Sequence, residues 1–284
     1  MDQNETFKDW MVRYQHLLKK RHSKKQKERF LNALLIDLSR IRKDIQVVEA
    51  RVGKKQPVVS RNVYVGNVKK AKTIIATYYD TPSSYFGPYH FFDVDAQRQR
   101  TLLYNIVFSI ILFVIGVLFT WQVVPPVLAK HSGFSWPLAL IVIFYFGLLY
   151  LLGYFSKGRP NKNNLIRNTS SVLLLLQLIA KTRSKNIAFA FVDNGCTNEN
   201  GLQILKAKKA RHAQLFYLDS VGADAALHLF AEDLSEITES KAEREEFIRI
   251  IAGDYSDKHW QLSKEQLQAK TLNEENMQKL LEYF

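Results

Sequence analysis

Apolar and polar positions follow three rhythms along this chain, and each predicts a different kind of element. Near the start, Phe7, Trp10, Met11, Tyr14, Leu17 and Leu18 recur at helical spacing and predict an amphipathic helix. A second helix follows, with Ser23 placed to cap it and Phe30, Leu31, Leu34, Leu38 and Ile41 as its apolar stripe. The next rhythm is shorter. The runs NVYVG, KTIIATYYD, NIAFAFVD and AQLFYLD are β-branched and aromatic and read as strands, with NLIRNTSSVLLLLQLIAK and GLQILKAKKA as helices between them. Strands separated by helices imply an α/β fold with a mostly parallel, twisted sheet flanked by helices on both faces.

The third rhythm is the absence of any polar beat. No Asp, Glu, Lys or Arg occurs from Thr101 to Ala129 or from Ser132 to Ser156. Leu102 to Val124 and Trp136 to Phe155 are each long enough, at ~1.5 Å per residue, to cross a hydrocarbon core of ~30 Å. Trp121 and Trp136 stand at the ends where interfacial aromatics are expected. The short connection PPVLAKHSGFS makes the pair a transmembrane hairpin that interrupts the α/β domain. The expected organisation is N-terminal amphipathic helices in residues 1–50, the first part of the domain in 51–100, the hairpin in 101–156, and the second part of the domain in 157–284. Asn105 is the one notably polar residue inside the spans, so they offer no evident ion path.

Charge adds an orientation. Of the net +13, residues 1–100 carry 21 Lys+Arg against 10 Asp+Glu, whereas residues 156–284 carry 18 against 17 and the connecting turn holds only Lys130. By the positive-inside rule the chain is expected to be a two-pass protein of the cell membrane, with its N- and C-terminal parts cytoplasmic. The opening MDQNETFKDW has no apolar leader core, and the single Cys196 fits a reducing compartment. The basic stretch KKRHSKKQKERF reads first as the solvated side of helices, with attraction to anionic headgroups as its added role; nucleic acid is not an expected partner. In SSYFGPYHFF the aromatics either pack on the domain or lie at the membrane interface.

Ligand sites in parallel sheets sit at the carboxyl ends of strands, where Asp80, Asp193 and Asp219 all fall. The order of segments NVYVG, TIIATYYDTP, RNTSSVLLLLQLIA, FVDNGCTNENGL, FYLDSVG and SDKHW before a last helix resembles the zinc-dependent exopeptidase family of bacterial aminopeptidases and glutaminyl cyclases. The resemblance covers nearly all of the chain outside the hairpin, and rests on order and spacing.

What the resemblance implies can be followed residue by residue. A metal-binding histidine is expected where this chain has Tyr78, and its companion aspartate is kept as Asp80. The carboxylate that bridges two metals is replaced by Arg167, a permanent cation. The general base is replaced by Asn198, which cannot take a proton from water. Glu199, Asp219 and His259 match the remaining ligand positions, although Lys258 separates His259 from its expected aspartate neighbour. The implied protein is a membrane-anchored pseudoenzyme needing no cofactor, in which the loop keeps its shape and loses its chemistry. Arg167 is then expected either to bind the repelling carboxylates Asp80, Glu199 and Asp219 or to face solvent. The competing class is an active hydrolase or transferase with a modified zinc site built from Asp80, Glu199, Asp219 and His259. For the inactive class, the bilayer and a peptide or membrane-protein partner are expected, and the hairpin's place in the order would turn the old cleft toward the membrane.

Overall fold

A computed structural model describes residues 3–52, 58–131, 133, 135–231 and 247–284. The chain divides into two compact units: Met1–Pro82 with Pro88–Val94 and Asn161–Phe284, and Ser83–Gly87 with Asp95–Pro160.

The first unit is α/β. Helix α1 (Gln3–Val12) runs into a π-helical turn, Arg13–Leu17, and α2 (Lys24–Ile41) begins at Ser23. The Ser23 hydroxyl accepts from the Gln26 N–H while the Gln26 side chain accepts from the Ser23 N–H, so the sequence signal for a helix start is realised as a reciprocal cap. Trp10 and Tyr14 are buried as their spacing predicts, but Leu17 is 76 % exposed, because the π turn shifts the helical phase just before it.

Strands β1 (Ile45–Val52), β2 (Val58–Val65), β3 (Thr73–Tyr78), β5 (Ile187–Val192), β6 (Gln214–Asp219), β7 (Leu227–Ala231) and β8 (Phe247–Ala252) form one sheet in the order β1-β2-β5-β3-β6-β8-β7. The central β5-β3-β6-β8 pairings are parallel, and antiparallel strands close both edges. Strand β1 was not legible in the pattern: Gln46, Glu49 and Arg51 break its apolar run, and it is held at the edge by pairing with β2, including Glu49 with Arg61 at 2.6 Å. Helix α6 (Ser170–Lys181) packs on one face of the sheet, with Leu173, Leu174, Leu175 and Leu176 all buried, and shares that core with Tyr14, Phe30 and Leu34. Helix α7 (Asn200–Lys208) covers the other face through Leu202 and Leu205 against Ile74, Ala76 and Tyr217. A small sheet, β4 (Tyr89–His90), β10 (His259–Leu262) and β9 (Asp254–Ser256), precedes α8 (Lys264–Leu267) and α9 (Glu274–Tyr283).

The second unit contains α3 (Val94–Gln122, all but its first residue), α4 (Val124–Lys130) and α5 (Trp136–Ser156). Ser132 and Phe134 of the connection lie outside the described residues. The helices close on each other at Gly116, where a Cβ would stand 2.7 Å from Leu148, and through stacked pairs Phe108–Phe155 and Phe119–Phe144. Among the described residues, two helices are long and apolar enough to cross a membrane, and only 11 % of each apolar window is buried inside the protein.

Candidate functional site at the strand ends

Strands β3, β5 and β6 run parallel, so Asp80, Asp193 and Asp219 emerge at one edge of the sheet. All three are buried. Buried carboxylates need partners, and the identity of those partners decides the chemistry.

Asp219 is the most deeply buried of the three, at 1 % exposed. The Tyr78 hydroxyl donates to its Oδ1 at 2.8 Å, and the Ser220 hydroxyl lies at the same distance from that oxygen. Its Oδ2 accepts from the Tyr89 hydroxyl at 2.8 Å. Burial first, and then the Asp219 charge, push both phenols well above their ordinary pKa, so each keeps the proton it donates. Tyr78 therefore does more than fail as a ligand: it engages an oxygen of the neighbouring carboxylate.

Arg167 sits in a π-helical turn, Leu165–Thr169, that opens α6. It is 3 % exposed, which excludes the solvent-facing alternative. Its guanidinium lies 3.9 Å from the centroid of the Tyr89 ring, a cation–π contact, and its carbonyl is 3.1 Å from the hydroxyls of Tyr78 and Ser220. Asp219 accepts hydrogen bonds from two phenols and a serine, and the ring of one of those phenols, Tyr89, carries the Arg167 guanidinium.

The other acids have separate partners. Asp80 accepts from the backbone N–H of Gly195 at 2.7 Å and of Cys196 at 3.1 Å. Burial, reinforced by the charge of Asp193, raises its pKa to about 6, against the opposing pull of Lys27 and those two N–H groups. Gly195 is required here, since a Cβ would fall 2.2 Å from that of Tyr78. Glu199 pairs with Arg249 of β8 at 3.0 Å. Asn198 is spent locally, its side-chain oxygen accepting from the Asn200 N–H at 3.2 Å. Gly201 keeps the loop tight, because a Cβ there would meet the Asp193 backbone at 2.3 Å. His259 lies on the small sheet, stacked on His90 with ring centroids 4.5 Å apart.

Three contributors escaped sequence reasoning. Of the basic stretch, Arg21 is buried inside the domain and Lys27 is half-buried, while Lys24, Lys25 and Arg29 are exposed. Arg21, fully buried and with its pKa lowered to about 10 by desolvation, donates to Asn168 and to Thr169 Oγ1, fixing the turn that carries Arg167. Lys27 pairs with Asp193 at 2.7 Å. Tyr89 lay in SSYFGPYHFF, where Tyr89 and Phe91 prove to pack on the α/β unit while Phe86 packs on Tyr104 of the helical unit.

A dinuclear zinc centre does not fit these residues. Arg167, where the resemblance puts the bridging carboxylate, is a buried cation, Tyr78, where it puts a histidine ligand, is a phenol, and both oxygens of Asp219 are already hydrogen-bonded.

No protein-family model matches the sequence, and no curated protein matches it. Solved structures do. A zinc-dependent exopeptidase from Parabacteroides distasonis is similar over 99 % of this chain and 97 % of its own, with a TM-score of 0.54 at 14 % identity. A glutaminyl cyclase from Tannerella forsythia is similar over 98 % of this chain and 95 % of its own, with a TM-score of 0.53 at 12 % identity. The chain has the fold of zinc-dependent exopeptidases and glutaminyl cyclases.

Proposed function

We propose that this chain is a membrane-anchored peptidase-like protein without peptidase activity, acting as a binding or scaffold module for a peptide or membrane-protein partner at the cytoplasmic face. The observation that carries the reading is that Tyr78 and Tyr89 each donate to one oxygen of Asp219 beside the buried Arg167. With no basic carboxylate at Asn198 and both oxygens of Asp219 hydrogen-bonded, the strand-end cluster lacks the reagents for water activation and metal-assisted attack. Anchoring is supported by the length and outward-facing apolar surface of α3 and α5, such as Phe113 and Phe146 at 65 % and 71 % exposed, which hydrocarbon would cover. The excess of Lys and Arg in residues 1–100 supports the cytoplasmic assignment.

The test is turnover by the full chain, purified in mild detergent with zinc supplied, on a panel of aminoacyl and N-terminal glutaminyl peptides. The expected result is no rate above the buffer blank. Turnover that disappears in Asp219→Asn would instead establish an active enzyme. That second reading, a hydrolase or transferase with a modified metal site, draws on one observation: His259 retains imidazole and carboxylate neighbours, His90 and Asp93. His259→Gln in the same assay identifies it, since only that reading ties turnover to His259.

A further inference from the structure

The small sheet gathers side chains that the strand-end cluster does not use. Asp257 and Lys258 both have positive φ, 50° and 64°, the geometry of a two-residue hairpin turn whose twist matches its strands. That turn sets His259 opposite Ser256 and, two residues on, Gln261 opposite His90. Residues two apart along a strand share a face, so His259 lies diagonally beside His90, and the rings stack with an interplanar angle of 17°. Phe92, with φ of 64°, then turns the chain so that Asp93 comes back toward His90. One ligand atom from each of His90, Asp93 and His259 lies within 4.8 Å of the others.

We propose that His90, Asp93 and His259 form a mononuclear site for a divalent transition metal, zinc being the representative ion, with the fourth position left to water. Two imidazoles and a carboxylate are a donor set such ions accept. Ligands on a tetrahedral zinc at ~2.1 Å stand ~3.4 Å apart, so the three donors close on the ion by about an ångström or so of side-chain rotation. His259, exposed on its hairpin, has room for that movement. The set differs from the one the resemblance implies: of Tyr78, Asp80, Arg167, Asn198, Glu199, Asp219 and His259, only His259 belongs to it. Its effect is structural. Strand β4 has two residues and two pairs with β10, a weak attachment, and Asp93 is the last residue before α3. A bound ion ties that segment to the C-terminal hairpin.

The experiment is metal titration of the chelator-stripped full chain in mild detergent, read by zinc calorimetry and by the visible bands of cobalt, with melting temperature alongside. One ion per chain is expected. His90→Gln and His259→Gln are each expected to weaken binding by about a hundredfold or more and to abolish the zinc-dependent rise in melting temperature. Without metal, His259→Gln is expected to melt with the wild type, which separates ligand loss from misfolding. Asp219→Asn is expected to bind as the wild type does. Absence of binding at about 0.1 mM zinc, a range tighter protein sites exceed, overturns the proposal, as does binding that survives both histidine substitutions. Binding lost in Asp219→Asn but kept in His259→Gln overturns it and revives the inherited centre.

Discussion

Asp219 and His259 both match ligand positions in the zinc-exopeptidase pattern, yet the fold treats them in opposite ways. Asp219 is 1 % exposed, and each of its oxygens accepts a short bond from a phenol that burial keeps protonated. His259 stands at the surface of a small sheet, beside another imidazole and a carboxylate. The first residue is a good ligand type whose two oxygens are already engaged by buried donors, and the second is a ligand among ligands. Residue type at an inherited position is therefore a poor guide to metal binding, and the donors already facing that residue are a better one.

The contrast breaks most visibly in stability. Asp219→Ala strands the buried Tyr89 hydroxyl and leaves those of Tyr78 and Ser220 only the Arg167 carbonyl, and is expected to cost about 3–5 kcal/mol in denaturant unfolding, at about 1–3 kcal/mol for the orphaned phenol and about 1.5 kcal/mol for each lost bond to the charged carboxylate. A cost under about 1 kcal/mol would mean the cluster is not the buried network described here. Asp80 gives the next effect. Its folded value of about 6 lies above an ordinary aspartate, so the native state holds the proton more tightly than the unfolded chain. The stability this confers is full below about pH 4 and is lost as pH rises to about 6, amounting to about 2–3 kcal/mol. Asp80→Asn stays neutral throughout, so the difference between wild-type and variant unfolding free energies is expected to fall by that amount across the same interval. A difference that stays constant with pH would place Asp80 in a more solvated setting.

Tyr78→Phe removes one donor from Asp219 while keeping the ring against Gly195, and about 1–2 kcal/mol is expected in the same unfolding assay. Glu199→Gln, with its partner Arg249 buried but the glutamate a quarter exposed, sits lower at about 1 kcal/mol. At the bottom, His259→Gln without metal is expected to stay within about 0.5 kcal/mol, as surface substitutions do. The ranking places the inherited position that is locked far from the one that is open.

Much of the architecture was legible because its signals are local. The α/β class, the cap at Ser23, α6 and the strand ends at Asp80, Asp193 and Asp219 all follow from residues within a few positions of each other. The partners that define the site are not local. Tyr89 reaches Asp219 across 130 positions and Lys27 reaches Asp193 across 166, so neither pairing leaves a mark in periodicity. Arg21 illustrates the same limit: inside a basic run it reads as solvated, and only the turn holding Asn168 and Thr169 draws it into the core. Strand β1 escaped because an edge strand tolerates the polar residues that hide it.

The most direct measurement is the zinc-to-protein ratio of full-length wild type, Asp219→Asn and His259→Gln, purified in parallel and equilibrated with the same free zinc. Asp219→Asn is expected to carry as much zinc as the wild type, with the loss falling on His259→Gln. Zinc that departs with Asp219 would show the phenols yielding to metal, and the strand-end cluster would be a working centre after all.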